Sequence, residues 1–319
     1  MTAAERTDIR FTSESDECGA WLYLPDTVPN SRPVPIIVMA HGFSGIKELR
    51  LDAFAERFHR EGYACLVFDY RHFGGSGGEP RELLDIGRQL EDWRNAVAYA
   101  RSLPNIDPNR VVVWGTSFGG GHAIVTAADD QRIAAAIAQC PFTDGPASAL
   151  VIPPTTSIRL MARALHDLAS AAFHRVPVRV PAAGAPGSAA VMTAPDSQRG
   201  FDALLEASDL SDMPQLVPAR VMLRVPFHVP GRRTRDIGCP ILFTICERDS
   251  VAPARAALKH ARRAQRGEVR LYDADHFDIY VGEPFEKVVS DQLNFLSAHV
   301  PVDSSTSTTS IAPSKESNP

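Results

Sequence analysis

The chain has 319 residues, of which 44% are hydrophobic and 22% charged, and its formal net charge is -5. This composition is typical of a folded globular protein, because enough apolar surface is present to offset the entropy of ordering the chain. The weak negative charge excludes a strong attraction to nucleic acid or to an anionic membrane. The sequence contains no run of about 18 apolar residues, so no membrane span is predicted. At roughly 150 residues per domain, the length predicts about two domains.

The N-terminal residues show no basic segment followed by an apolar one, so we expect no secretory signal and a cytoplasmic protein. The five cysteines form no C-x-x-C pair and mostly lie in or beside apolar runs, which predicts buried, reduced thiols. No Cys and His cluster has the spacing of zinc ligands, and H-E-x-x-H is absent. We therefore expect neither a metal ion nor a cofactor.

The predicted elements alternate along most of the chain. Two strands with polar outward faces are expected near 8–12 and 19–24. Short apolar runs then predict strands at 35–39, 64–68, 110–114, 133–138, 240–245 and 269–272. Helical patterns lie between them at about 49–60, 81–102, 118–129, 252–264 and 282–298. Continuous apolar runs suit parallel strands covered on both faces, and the alternation predicts an α/β fold with a doubly wound sheet.

This alternation stops between residues 143 and 238. A spacing of three and four residues predicts an amphipathic helix carrying Ile158, Met161, Leu165, Leu168 and Ala172. Residues 177–198 are rich in Pro, Ala, Gly and Ser and are predicted to be loop, followed by a helix over 199–208 and a shorter one near Pro218. A core over 1–142 and 239–302, a helical lid inserted at 143–238, and a disordered polar tail at 303–319 account for this pattern.

The strongest motif is Gly115-Thr116-Ser117-Phe118-Gly119, which follows a predicted strand and opens a predicted helix. In this context G-x-S-x-G is a nucleophile elbow. Small residues two positions on either side allow the tight turn, which lifts the Ser117 hydroxyl above the sheet at a helix N-terminus. We therefore identify Ser117 as the candidate nucleophile.

A serine nucleophile needs a base, and the base needs an orienting acid. Asp249 follows the strand at 240–245, and His276 follows the strand at 269–272, in the chain order Ser, acid, His that suits this elbow. Both lie where an open α/β sheet binds its ligands, at the carboxyl ends of strands. Asp144, which follows the strand at 133–138, is an alternative acid.

The developing oxyanion needs hydrogen-bond donors. His41-Gly42-Phe43 follows the strand at 35–39, so the backbone amides of Phe43 and Phe118 are the candidate donors. We expect His41, Gly42, Phe142 and Thr143 to line the pocket. The Gly-rich segment 69–78 lacks the phosphate-binding patterns and is predicted to be a turn-rich loop beside the oxyanion segment, in which Arg71 pairs with an acid.

Over about residues 20–300, these motifs resemble members of the α/β-hydrolase superfamily that carry a helical lid. The combination is similar to the dienelactone-hydrolase and serine-aminopeptidase-like group and to fungal polyketide acyltransferases and thioesterases. Epoxide hydrolases and haloalkane dehalogenases of the superfamily carry Asp at the elbow, and the dienelactone hydrolases proper carry Cys, whereas this chain has Ser117.

The resemblance implies a serine hydrolase acting on a small-molecule acyl ester or thioester, without nucleic-acid or membrane partners and with an oligomer possible. An acyltransferase shares the same acyl-enzyme, and an N-terminal peptidase is a third possibility that requires acids in the lid. Residues 145–238 carry ten Arg, no Lys and seven acidic residues. This basic balance favours acidic or neutral acyl substrates, including thioesters on phosphorylated carriers.

Overall fold

The computed structural model describes residues 5–25 and 33–302, so the tail predicted over 303–319 lies outside the described residues. Its centre is an eight-stranded sheet in the order β1-β2-β4-β3-β5-β6-β9-β10. The strands are β1 (Thr7–Ser13), β2 (Asp16–Tyr23), β3 (Val34–Ala40), β4 (Ala64–Phe68), β5 (Ile106–Thr116), β6 (Ala135–Gln139), β9 (Ile241–Cys246) and β10 (Gly267–Tyr272). Pairings from β4 to β10 are parallel, whereas β1 and β2 are antiparallel additions at one edge.

Helices cover both faces of the sheet. The main ones are α1 (Leu51–Arg60), α2 (Ile86–Ser102), α3 (Phe118–Asp129), α7 (Ala254–Ala261) and α8 (Gly282–His299). On β3, Ile36 and Val38 belong to the core that also contains α2 and α3, whereas Ile37 and Met39 belong to the core that contains α1 and α8. Since side chains alternate across a strand, this division confirms the predicted doubly wound sheet.

Two strand predictions need correction. The strand near 19–24 is not polar on its outward face, because β2 lies between β1 and β4 and is buried from Cys18 to Tyr23. The strand at 269–272 is not covered on both faces, because β10 pairs only with β9 at the sheet edge and Leu271 is 44% exposed. The helix expected from residue 81 begins at Ile86, where the Asp85 side chain accepts a hydrogen bond from the Arg88 amide.

The segment between β6 and β9 holds α4 (Gly145–Leu150), α5 (Pro154–Ala172), β7 (Arg179–Pro181), α6 (Ser197–Glu206) and β8 (Leu216–Pro218). The predicted helices are present, the one near Pro218 as a 3-10 turn over Ala219–Leu223. The region predicted as loop contains β7, which pairs antiparallel with β8.

The apolar stripe of α5 does not face the core. Ile158 is 70% exposed and Leu165 is 55% exposed, while the buried side of the helix carries Thr156, Leu160, Ala164, Asp167 and Ser170. The Asp167 carboxylate explains this orientation, because it accepts hydrogen bonds from the amides of Val178 and Arg220 and from the Arg220 guanidinium. A buried charge needs such partners, so it fixes which side of α5 faces inward.

None of the helices in residues 5–25 and 33–302 combines the length and the apolar character needed to cross a membrane.

Candidate active site

Ser117 occupies the turn between β5 and α3. Its φ of 55° and ψ of -118° lie outside the regions that most residues adopt, as expected for a strained strand-to-helix elbow. A Cβ on Gly115 would collide with the Gly119 carbonyl, and a Cβ on Gly119 would collide with the His41 carbonyl. Both flanking glycines are therefore required by close backbone approach.

The structure brings Ser117, His276 and Asp249 together in a chain of hydrogen bonds. The His276 Nε2 atom lies 3.0 Å from Ser117 Oγ, and Nδ1 of the same ring lies 2.6 Å from Asp249 Oδ2. The second carboxylate oxygen of Asp249 accepts the amides of Val251 and Ala252 at 2.9 and 2.7 Å. His276 and Asp249 are 1% and 8% exposed. This arrangement can move a proton from the hydroxyl to the ring and stabilise the resulting imidazolium.

The alternative acid, Asp144, lies elsewhere. One of its carboxylate oxygens accepts a hydrogen bond from the Ala147 amide at the start of α4, and the other lies 3.2 Å from His260 Nε2. Asp144 therefore stabilises a helix N-terminus and pairs with a histidine other than His276.

Two backbone amides next to Ser117 are available to a ligand. Within the described residues, neither the Phe43 amide nor the Phe118 amide has a hydrogen-bond acceptor. The segment carrying Phe43 is anchored by Asp69, whose carboxylate accepts the Lys47 amide and the Lys47 ammonium, both at 2.7 Å. Asp69 is 0% exposed, so this ion pair is a rigid support for the loop.

The predicted pocket residues His41 and Gly42 form the base of the same loop. His41 is buried, packs edge-on against Tyr70 with ring centroids 4.6 Å apart, and donates from Nδ1 to the Gly42 carbonyl. Burial lowers the pKa of His41 to about 4, so its ring is neutral at pH 7. A Cβ on Gly42 would approach Ser117 Cβ to 2.8 Å, so this glycine lets the loop lie against the nucleophile.

A cavity of about 240 Å³ opens beside Ser117. None of the described residues that line it is charged, and most of the wall is apolar. Much of the surface is formed by large apolar side chains: Phe43, Phe118, Phe142, Leu160, Met161, Val191, Met192, Met222 and Val225. Phe142 therefore lies where it was predicted, whereas Thr143 is buried outside the lining of this cavity. The basic balance of residues 145–238 does not extend to the cavity wall.

A smaller cavity of about 30 Å³ lies on the side of Ser117 that faces His276. His41, Gly42 and Phe277 contribute to its wall. The volume is sufficient for a water molecule. Ser117 thus lines both a larger apolar space and a small space beside the candidate base.

Several site residues were not predicted from the sequence. Val191 and Met192 come from the segment predicted to be loop, in which two large apolar residues among Ala, Gly and Pro were the available signal. Lys47 was also missed, although it is one of only four lysines in the chain. Arg71, by contrast, pairs with Asp92 at 2.6 Å, in agreement with the prediction that it would bind an acid.

Two thiols pack behind the candidate triad. Cys140 Sγ and Cys246 Sγ lie 3.0 Å apart, and both side chains are buried. Among the described residues, one group could supply three ligand atoms to a metal ion: Cys140, Asp249 and His276. One atom of each side chain lies within 4.8 Å of the other two. Asp249 and His276 are already hydrogen-bonded directly to each other.

Residues 37–291 match the alpha/beta hydrolase family. The chain belongs to this family. The match spans β3 to α8 and includes Ser117, Asp249 and His276.

Full-length relatives agree with the assignment. The chain is 52% identical to the quorum-quenching protein AidA of Acinetobacter baumannii (strain MDR-ZJ06), over 92% of this chain and 95% of that protein. It is 29% identical to the thiohydrolase aneE of Aspergillus aculeatus, over 82% and 85% of the two chains. The crystal structure of the alpha/beta hydrolase GrgF from Penicillium sp. sh18 superposes with a TM-score of 0.77, at 26% identity and covering 92% and 99%. The relatives thus include proteins named for different reactions on one fold.

Proposed function

We propose that the protein is a serine hydrolase that cleaves carboxylic esters or thioesters through an acyl-enzyme. The observation that carries the proposal is the 3.0 Å contact between His276 Nε2 and Ser117 Oγ at the mouth of an apolar cavity. Such a contact lets the imidazole accept the hydroxyl proton as the oxygen attacks a carbonyl carbon. Fold membership alone would not specify this chemistry.

The proposed reaction has two halves. In the first, Ser117 Oγ bonds to the carbonyl carbon, its proton passes to His276 Nε2, and the oxyanion is held by the amides of Phe43 and Phe118. The carbon–oxygen or carbon–sulfur bond then breaks as His276 returns the proton to the leaving alcohol or thiol. In the second half, a water molecule loses its proton to His276 and attacks the acyl carbon. The bond between that carbon and Ser117 Oγ then breaks, His276 returns the proton to Oγ, and the carboxylic acid leaves.

The two cavities support a division of the site. The apolar cavity suits the acyl chain, because its lining has no charged residue among those described. The space of about 30 Å³ beside His276 suits the hydrolytic water. Residues 143–238 supply much of the apolar wall, which supports their proposed role as a lid that selects the acyl group.

A more specific candidate is the destruction of a bacterial signalling molecule. The 52% identical relative is named a quorum-quenching protein. An acylated lactone would offer both parts that this site suits, since its ring holds an ester carbonyl for Ser117 and its chain is apolar. Opening that ring is ester hydrolysis in which the leaving alcohol stays attached to the product.

Two alternatives use the same residues. Acyl transfer would replace water by an alcohol or amine, and the chain is 27% identical to the polyketide transferase grgF of Penicillium sp. over 94% of its length. An N-terminal peptidase would need an acid to bind the substrate ammonium, and the described lining of the main cavity contains none. The peptidase is therefore the weaker of the two alternatives.

A substrate panel tests these functions. Purified protein would be given p-nitrophenyl esters, acyl thioesters, acylated lactones and aminoacyl amides, each with and without an added alcohol acceptor. We expect release of free acid from the first three and labelling by a fluorophosphonate. Ser117→Ala should abolish the labelling and lower the rate of turnover by roughly 10⁶-fold. Turnover that persists in Ser117→Ala would overturn the mechanism, and faster cleavage of aminoacyl amides would favour the peptidase.

A further inference from the structure

The outer side of α5 exposes an apolar surface. Ile158, Met161, Leu165 and Leu168 are 70%, 37%, 55% and 49% exposed. Four more exposed apolar residues flank the helix in the chain: Leu150 and Val151 at the end of α4, and Phe173 and Val176 after α5. We define the outer α5 face as the eight residues Leu150, Val151, Ile158, Met161, Leu165, Leu168, Phe173 and Val176. Scattered single apolar residues are common on protein surfaces, but a concentration of this kind marks a contact site.

The helix cannot rotate to bury this face within its own chain. Asp167 is 0% exposed on the opposite side, where it accepts the Val178 amide at 2.8 Å and the Arg220 amide at 2.9 Å. Rotation would break these bonds and leave a buried carboxylate without partners, which is costly. Contacts among the described residues therefore fix the side of α5 that faces outward.

The extent of the face matches what one partner of a stable protein interface contributes. The eight side chains are between 37% and 86% exposed. Their combined apolar area is on the order of several hundred Å², the same order as the roughly 800 Å² that each partner buries in a standard interface.

The spacing on α5 indicates that the partner is a helix. Exposed apolar residues follow one another at intervals of three and four, which is the pattern of helices that pack side by side. Ala162 and Ala169 are exposed beside the apolar stripe, and their small side chains allow a second helix to approach closely. The charged residues Arg159 and Arg163 lie outside the stripe, so the seam itself has no charge to exclude a copy of the same surface.

We infer that a second copy of this chain packs on the outer α5 face, α5 against α5 about a two-fold axis. A two-fold contact uses the same surface on both copies, which is what a self-complementary apolar helix with a neutral seam provides. Val151 and Met161 belong both to this face and to the lining of the 240 Å³ cavity. The second copy would therefore cover the outer wall of that cavity in each protomer.

The oligomeric state of the full chain tests the inference by sedimentation velocity from low to high micromolar concentration. We expect a dimer for the natural sequence and a dissociation constant at least about 100-fold larger for the double variant Leu165→Glu and Leu168→Glu, because each carboxylate would enter an apolar seam. Leu271→Glu is the matched control, since Leu271 is 44% exposed on the edge strand β10 and lies outside the face. Thermal unfolding shows whether each variant is folded.

A crosslink keeps the test decisive if the double variant does not fold. All five natural cysteines are buried, so Leu165→Cys adds one exposed thiol, which would lie next to the same thiol of the second copy. Mild oxidation should then give a covalent dimer. The control variant Leu271→Cys should give none. A monomer at all concentrations, or a dimer lost only in Leu271→Glu, would overturn the inference. So would a monomer that sediments with vesicles of anionic phospholipid through the same face, because the occupant would then be a membrane.

Discussion

The Asp249 Oδ2 atom lies 2.6 Å from His276 Nδ1, on the side of the ring opposite to Ser117. The other oxygen of this carboxylate is held by two backbone amides, so the acid cannot turn without losing both. The ring is consequently fixed with Nε2 towards the hydroxyl. The acid orients and stabilises the base rather than taking the proton itself.

We expect Asp249→Asn to lower kcat by roughly 10⁴-fold, because an amide can hold the ring in the wrong tautomer. Labelling of Ser117 by a fluorophosphonate should persist at a reduced rate. Asp144→Asn is the matched control, and because Asp144 contacts His260 rather than His276, its activity should stay within a few-fold of the natural protein. A larger loss in Asp144→Asn than in Asp249→Asn would show that the acid is assigned incorrectly.

Gly119→Ala should damage the site and the fold together. The added methyl group would collide with the carbonyl oxygens of Ala40 and His41, which are backbone atoms and cannot move aside as a side chain can. We expect a loss of about 1–3 kcal/mol in the free energy of unfolding in urea, with reduced ester turnover. Gly77→Ala is the control, since its nearest neighbours would be 3.6 Å away, and an equal loss there would refute the steric explanation.

The Asp167–Arg220 ion pair should stabilise the segment 143–238, which is inserted into the core. Asp167→Asn removes the charge of a buried carboxylate and weakens its hydrogen bonds to the partly exposed Arg220 guanidinium, at a cost of about 1–3 kcal/mol. Limited proteolysis should then cut within residues 143–238 before the rest of the chain is cleaved. In Asp202→Asn, which alters an exposed carboxylate with one 3.5 Å contact, the cleavage pattern should not change.

Stability should fall in acid because buried histidines resist protonation. Burial lowers the pKa of His41 and of His228 to about 4, and that of His122 well below 6.5. The unfolded chain takes up these protons near pH 6.5 and the folded chain does not. The stabilisation is therefore complete above about pH 6.5 and is lost as the pH falls towards 4, by about 3 kcal/mol for a group such as His41.

His228→Phe tests this acid dependence. The Nε2 atom of His228 has no hydrogen-bond partner among the described residues, and the ring stacks on Phe142. We expect stability at pH 7 to be unchanged or higher, and the decline between pH 6.5 and 4 to be shallower, in urea unfolding followed at several pH values. His166→Gln alters an exposed ring and should keep the natural slope. An unchanged slope in His228→Phe would contradict the assignment.

The sheet and the candidate triad could be predicted because both depend on local patterns. Apolar runs marked the central strands, and Ser117, Asp249 and His276 each follow one of them, so parallel pairing brings them to one edge. The exposure of β10 could not be predicted in this way, because strand order is decided by contacts between distant segments.

The side of α5 that faces inward could not be predicted, for a different reason. Hydrophobic periodicity assumes that the apolar stripe of a helix faces the core. Here Asp167 is on the inner side because its partners come from Val178 and Arg220, which the spacing within the helix does not reveal. The residues of 143–238 that line the cavity could not be predicted either, because they come from short, irregular segments without a periodic pattern.

All five cysteines lie in the described part of the chain and all are buried. An aqueous disulfide reagent such as Ellman's compound should therefore find no accessible sulfur in the native protein and five equivalents after denaturation. Cys65 and Cys246 are in the central sheet, whereas Cys18 is in an edge hairpin. Each thiol that becomes accessible forms a mixed disulfide with the reagent, so locating these adducts in the order in which they form would show which part of the molecule opens first.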